Sequence, residues 1–234
     1  MLAEPLSGIA AAVGGMTWAV RGRSSRIFGP SVWRAPANGK NAGRKTIALT
    51  FDDGPGPATP KILEILGRYR VAATFFQCGV NALRAPELSR AVSGAGHEIG
   101  NHSHTHPLCA LRRPAFIHDE FARAQDAIAA STGARPSLMR PPYGVRWFGF
   151  RPMQERLGLH GVMWSVIGRD WVLPAPAIAA RVISRAADGA IVCLHDGRGT
   201  LKDSNADATV EAVRRIIPSL LENGYHFETV SRLL

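Results

Sequence analysis

Lys45-Thr46-Ile47-Ala48-Leu49-Thr50-Phe51-Asp52-Asp53-Gly54-Pro55 is the stretch on which the fold turns. Its first seven residues are mostly apolar or β-branched, without strict polar alternation. That is the pattern of a strand buried on both faces, and such strands belong to parallel sheets covered by helices. The run ends at Asp-Asp-Gly-Pro, residues that favour a turn over further strand. Ile62, Leu66 and Tyr69 then recur at helical spacing, and residues 72–76 form the next strand-like run.

The same rhythm continues outward. A strand is expected near 97–101, a helix with Phe121, Ala124 and Ile128 on one face, and a strand at 137–140. Further strand-like runs at 161–166 and 190–195 flank a helix carrying Ile178, Val182 and Ala186, before a long segment at 210–221 and a last run at 225–230. Strands alternating with helices imply an α/β fold with a parallel sheet, and about seven strands imply a barrel or a doubly wound sheet; a distorted (β/α) barrel with about seven parallel strands is the expectation. No internal repeat and no second domain is visible. Residues 45–234 are expected to form one catalytic domain, preceded at 1–44 by an apolar segment and a connector rich in Gly, Pro, Asn and basic residues.

The 234 residues are 46% hydrophobic, enough for a full core. Twenty-eight Lys and Arg against 18 Asp and Glu give a net charge of +10, which favours anionic partners. The basic residues are scattered, with no arginine tract interleaved with stacking aromatics, so direct nucleic-acid binding is not expected. Residues 6–20 are almost wholly apolar but fall short of the roughly 18 needed to span a bilayer. A signal peptide carries its positive charge in front, whereas here Glu4 precedes the run and Arg21, Arg23 and Arg26 follow it; a trimmed or atypical export signal is the alternative reading. Residues 6–26 therefore suit a packed or membrane-proximal helix that could associate with a membrane or anionic envelope, and a membrane-associated or extracytoplasmic location is the expectation. Cys78, Cys109 and Cys193 cannot all pair and match no zinc or redox spacing.

In barrels of this kind the reactive groups sit where strands give way to loops at their carboxyl ends. Asp52 and Asp53 follow the first expected strand, His102 to His106 the third, Arg140 closes the fourth, Asp170 comes soon after the fifth and His195 ends the sixth. Asp-Gly-Pro alone is ordinary turn chemistry, but two adjacent carboxylates point in divergent directions and can do different jobs. Asn-His-Ser-His-Thr-His strengthens that reading. A local helical turn would bring His102 and His106 to one side, the spacing that binds zinc elsewhere, with His104 pointing away; an extended chain would put all three on one face. An Asp with two His gives three protein ligands and leaves positions open, as catalytic metal sites require. The hydrolysis such a site supports also needs a base, an oxyanion donor and an acid for the leaving group.

Taken in order, Thr50-Phe51-Asp52-Asp53-Gly54-Pro55, His102-Ser103-His104-Thr105-His106, Arg140-Pro141-Pro142-Tyr143-Gly144, Asp170-Trp171 and Leu194-His195-Asp196 resemble the motifs of the polysaccharide deacetylases, the family four carbohydrate esterases with a NodB-homology domain. The resemblance covers about residues 45–234. It implies a NodB-like barrel that removes N-acetyl groups from N-acetylglucosamine-containing oligo- or polysaccharide, chitooligosaccharide or peptidoglycan-like, releasing acetate. It makes Asp53, His102 and His106 ligands of a divalent metal, with Zn2+ the first choice and Co2+, Ni2+ or Mn2+ compatible. Asp52 becomes the general base paired with Arg140, the Tyr143 backbone N–H the oxyanion donor, and His195 the general acid held charged by Asp170. Trp171, Cys193 and Leu194 are expected to line the substrate pocket.

Two departures bear on specificity. Many relatives carry an acidic residue where this chain has Ile167, and leucine where it has Cys193. The same scaffold also accommodates an amidase for small linear or cyclic amides, or an O-acetyl xylan esterase.

Overall fold

The computed structural model describes residues 14–36 and 43–234. Among the described residues, nine parallel-paired strands form one curled sheet in the order β1-β6-β5-β4-β3-β2-β8-β7, with β9 added against β2. At its centre is β2 (Thr46–Gly54), every residue buried, between β3 (Thr74–Gln77) and β8 (Ala190–His195). On the β3 side the sheet continues through β4 (Glu98–Asn101), β5 (Leu138–Met139) and β6 (His160–Val162). Helices α2 (Thr59–Tyr69), α3 (Gly79–Arg84), α4 (Pro86–Gly94), α5 (Pro114–Thr132), α6 (Phe150–Leu157), α7 (Ala175–Arg185) and α8 (Asp207–Glu222) connect the strands, and α9 (Val230–Leu233) ends the chain.

Two features depart from the sequence reading. The run expected as one strand at 161–166 splits into β6 and β7 (Val166–Ile167), which lie toward opposite ends of the sheet, so one short segment swings across the opening of the barrel. Residues 24–36, read as a connector, supply β1 (Ser31–Val32), which pairs with β6. A bridge from Arg34 to Ala190 then spans toward β8. Two residues cannot show a period, so β1 leaves no sequence signal.

Strand alternation divides the core. Leu49, Phe51, Val192 and Leu194 face outward into an apolar layer with Ile62 and Leu66 of α2, Ile178 and Val182 of α7, and Ile216 of α8. Ala48, Phe76, Leu138, Val162 and Ile191 face the barrel axis, where Val230 and Leu233 of α9 plug the bottom. Above this floor the inward positions become polar, with Thr50 and Asp52 on β2 in register with Cys193 and His195 on β8. A third cluster joins Phe121 of α5 and Phe150 and Met153 of α6 to Ala19 and Phe28 of the N-terminal segment.

Residues 14–21 form the described part of α1, with Ala19 buried and Met16 and Trp18 half-exposed. The remainder of the apolar run at 6–20 lies outside the described residues. No helix among the described residues is long and apolar enough to cross a membrane.

Candidate active site

The site is built at the carboxyl rim of the strands, around a cleft of about 620 Å³. In a regular strand Asp52 and Asp53 would point to opposite faces. Here the β2–β3 register shifts between Asp52 and Gly54, and Asp53 takes a left-handed backbone with φ 75°. The bulge re-aims Asp53, so both carboxylates line the cleft.

His102 follows β4 directly, but the expected helical turn does not form. Ser103 and His106 adopt left-handed conformations, φ 64° and 57°, and an irregular turn brings the 102 and 106 rings together with centroids 5.0 Å apart. Glu120 of α5 holds this turn. Its carboxylate accepts the His104 N–H at 3.1 Å, the Thr105 N–H at 2.8 Å and the Thr105 hydroxyl at 2.9 Å. His104 turns away from the cleft and packs on Gly79, where a Cβ would come within 2.5 Å of its ring.

Asp53 Oδ1 lies 3.4 Å from His102 Nε2 and 3.1 Å from His106 Nε2. Two donors each about 2.1 Å from a tetrahedral metal sit about 3.4 Å apart, so this spacing suits a shared ion. Asp53 Oδ1 is buried with no hydrogen-bond donor of its own, and one Oδ is thus left for a cation. His102 Nδ1 lies 2.8 Å from the Arg140 carbonyl, which fixes the tautomer with Nε2 free to ligate. Burial would lift the Asp53 carboxyl, yet the adjacent His102 and His106 rings hold it well below the usual carboxylate range. The residues fit a divalent metal.

Asp52 is held from one side. Arg140, fully buried, donates from Nη1 to Asp52 Oδ1 at 2.6 Å and to Thr50 Oγ1 at 2.7 Å. Its Nε and Nη2 reach the Val162 and Met163 carbonyls, and its guanidinium lies over the Phe76 ring at 4.1 Å. Asp52 Oδ2 faces the cleft, 3.5 Å from the Cys193 thiol and 3.9 Å from His102 Nε2. Burial pushes that thiol well above its ordinary value, so it stays protonated and donates.

Across the cleft, His195 Nδ1 meets Asp170 Oδ1 at 2.8 Å, while Asp170 Oδ2 accepts the His195 N–H at 2.8 Å and the Thr209 hydroxyl at 2.6 Å. Burial disfavours the charged imidazole, but the adjacent Asp170 carboxylate outweighs it and lifts His195 to about 9. Burial likewise raises Asp170, and the His195 charge with the three hydrogen bonds brings it below its ordinary value. Trp171 stands edge-on to His195 with centroids 5.4 Å apart. Tyr143 sits in a 3-10 turn (Pro142–Gly144) with φ 58°, its ring against His106; the turn's bonds run from Gly144 to Pro141 and from Val145 to Pro142.

The model of the polysaccharide deacetylase family matches residues 39–162, more than half of the chain. The chain belongs to the polysaccharide deacetylase family. It is similar to a chitooligosaccharide deacetylase of Bradyrhizobium sp., 39% identical over 204 residues that cover 83% of this chain and 93% of that protein. It is also similar to the peptidoglycan-N-acetylglucosamine deacetylase PgdA of Listeria monocytogenes, 34% identical over 206 residues; these cover 87% of this chain but only 42% of that longer protein. Among solved structures, the Bc1960 peptidoglycan N-acetylglucosamine deacetylase superposes with a TM-score of 0.79 at 29% identity, covering 87% of this chain and 92% of that one.

Against this deacetylase frame, the structure gathers Asp52, Asp53, His102, His106, Tyr143, Trp171, Cys193 and His195 around one cleft, with Arg140 and Asp170 buried directly behind it. Leu194 does not join them. Strand alternation turns it to the outer face of β8, fully buried against the helix layer and away from the cleft. Two residues escaped the sequence reading, and a third, Asp196, stands in a motif without an assigned role. Glu120 and Thr209 act from helices far along the chain, and only the folded contacts reveal them. Asp196 follows His195, is fully buried, and accepts the Thr59 hydroxyl at 2.6 Å while its Oδ1 has no donor among the described residues. Burial lifts it to about 7.

Proposed function

We propose that this deacetylase hydrolyses the acetamide of N-acetylglucosamine units in an oligo- or polysaccharide, chitooligosaccharide or peptidoglycan-like, and releases acetate. The reading is carried by one observation: the unpartnered Asp53 Oδ1, faced by His102 and His106, lies in the same cleft as Asp52 and His195. Zn2+ is the proposed ion, since two imidazoles and a carboxylate suit a borderline divalent metal. When bound, it supplies Lewis acidity toward the attacking water and the acetamide carbonyl.

The chain's own residues do the rest. Asp52, with Oδ1 committed to Arg140, takes the water's proton on Oδ2. The Tyr143 N–H donates to the oxygen that becomes negative as the carbonyl carbon turns tetrahedral. His195, protonated through neutrality because of Asp170, gives its Nε2 proton to the departing nitrogen. Trp171, Ile167 and Cys193 border the cleft where the acetyl methyl would lodge. Exposed Tyr143, Trp171 and Leu201 on the rim favour an open saccharide groove over a small-amide pocket. The names of the similar deacetylases and the charge of +10 favour work at an anionic envelope outside the cytoplasm.

The test is acetate release from N-acetylated oligosaccharides with added metal. Asp52→Asn should bind metal but not turn over, and His102→Ala should lose both; full activity in either variant would sink the assignment.

A further inference from the structure

We infer that the cleft contains a second, anion-binding subsite made by Arg21 and Arg198, and that the preferred substrate is an N-acetylated glycan bearing a carboxylate on or next to the reacting sugar. This inference rests on the deacetylase reading and narrows its substrate class.

Both arginines line the cleft. They arrive from different sides. Arg21 ends the N-terminal helix, whose exit is tied to the loop beyond Tyr143 by the Arg146 N–H to Val20 carbonyl bond of 3.0 Å. Arg198 follows β8 and donates to the Gly197 carbonyl at 2.8 Å and to the Asp170 carbonyl at 3.0 Å, on the His195 side.

The charge balance of the cleft singles them out. Asp52 is answered by Arg140, Asp170 by His195, and Asp53 faces the two metal-ligating histidines. Asp52, Asp53 and Asp170 thus each face a group other than these two arginines. Among the described residues neither Arg21 nor Arg198 forms an ion pair; Arg198 meets only carbonyls, which leave its charge uncompensated. A divalent ion would add further positive charge. A neutral acetylated sugar can accept hydrogen bonds from either guanidinium, but a planar carboxylate is the group a guanidinium binds best.

Arg21 is also placed by a built device. Arg146, itself buried, donates to the Gly22 and Ser25 carbonyls, and to the Ser31 hydroxyl at 2.8 Å, fixing the segment immediately after Arg21. The residues matched by the family model begin at 39, so this arm lies outside them.

The experiment compares acetate release by the metal-loaded protein from neutral chitopentaose, from glycan strands with muramate carboxylates, and from an N-acetylated glycan with uronate carboxylates. The expected result is a higher kcat/KM on a carboxylate-bearing glycan, with a KM that rises with salt. Arg21→Ala and Arg21→Glu should each cut the acidic-over-neutral preference about tenfold or more, chiefly through KM. Arg135→Ala, on the outer surface, controls for net charge. Which acidic arm responds identifies the source of the carboxylate. Preference for chitopentaose, or an acidic preference indifferent to Arg21 and to salt, overturns the subsite while leaving the deacetylase reading intact. Release of acetate from none of the three overturns both.

Discussion

His102 Nδ1 lies 2.8 Å from the carbonyl oxygen of Arg140, whose guanidinium reaches Asp52 at 2.6 Å. One residue thus orients a proposed metal ligand through its main chain and the proposed base through its side chain. The two roles can be separated. Arg140→Met keeps the carbonyl but leaves Asp52 buried without its cation. Breaking a buried pair from one side costs about 3–5 kcal/mol. Metal affinity should stay within a few-fold of the parent by titration calorimetry, while Tm falls and kcat drops by at least about 100-fold. Loss of metal in step with activity would mean that the main-chain contact does not survive on its own.

The pairing of His195 with Asp170 sets the alkaline limit. Because the folded pKa is raised, to about 9, the stabilisation from the charged pair is complete below the ordinary histidine range and is lost as pH rises through about 9. An acid catalyst follows the same limb, so kcat should decline above about pH 9. Asp170→Asn removes the carboxylate and leaves burial, which favours the neutral ring. The limb should then move down by about 1–3 pH units. A pH–rate profile checks this, and an unmoved limb in the variant would assign it to another group.

Glu120 makes three hydrogen bonds to the turn carrying His104 and Thr105, and touches no ligand. Its effect should appear as metal affinity. Glu120→Ala frees a turn that holds two left-handed residues, and loss of such supporting contacts weakens metal binding by about 10–100-fold. Competition with a chelator measures it. Activity should return at high metal concentration, which a general folding defect would not allow.

The strands that place the site were legible because each is a continuous apolar run ended by polar residues, as at 46–54 and 190–195. Parallel strands buried on both faces announce themselves this way. The residues proposed to carry the chemistry were legible because they stand at those ends. What sequence could not reveal depends on local geometry or distant contacts. The spacing of His102 and His106 suggested a helical turn, and the chain reaches the same juxtaposition through left-handed backbone at Ser103 and His106. Helices α3 and α4 are short and meet at Ala85 before Pro86, so neither builds a long period. Leu194 stood inside a motif, but alternation on β8 turned it away from the cleft.

The N-terminal segment supplies the last prediction. Arg146 is 3% exposed and donates to Gly22, Ser25 and Ser31, joining the segment at 22–31 to the barrel. Burial lowers its pKa, and its charge is met by carbonyls and a hydroxyl rather than by a carboxylate. Hydrogen bonds from a charged donor contribute about 1.5–3 kcal/mol each, and removing this donor takes one bond from each of three acceptors, although the Gly22 carbonyl keeps the Ser25 N–H and the Ser25 carbonyl keeps the Ser31 hydroxyl. Arg146→Met, which keeps most of the apolar stem, should lower stability by about 3 kcal/mol in denaturant titration. It should also open the segment to protease, with cleavage beginning near the arginines at 21, 23 and 26. The contacts of Phe28 with Trp147 and Phe148 remain in the variant, so the segment should loosen rather than detach. An unchanged midpoint with an uncleaved segment would show that this aromatic packing, and not the buried guanidinium, holds the arm against the barrel.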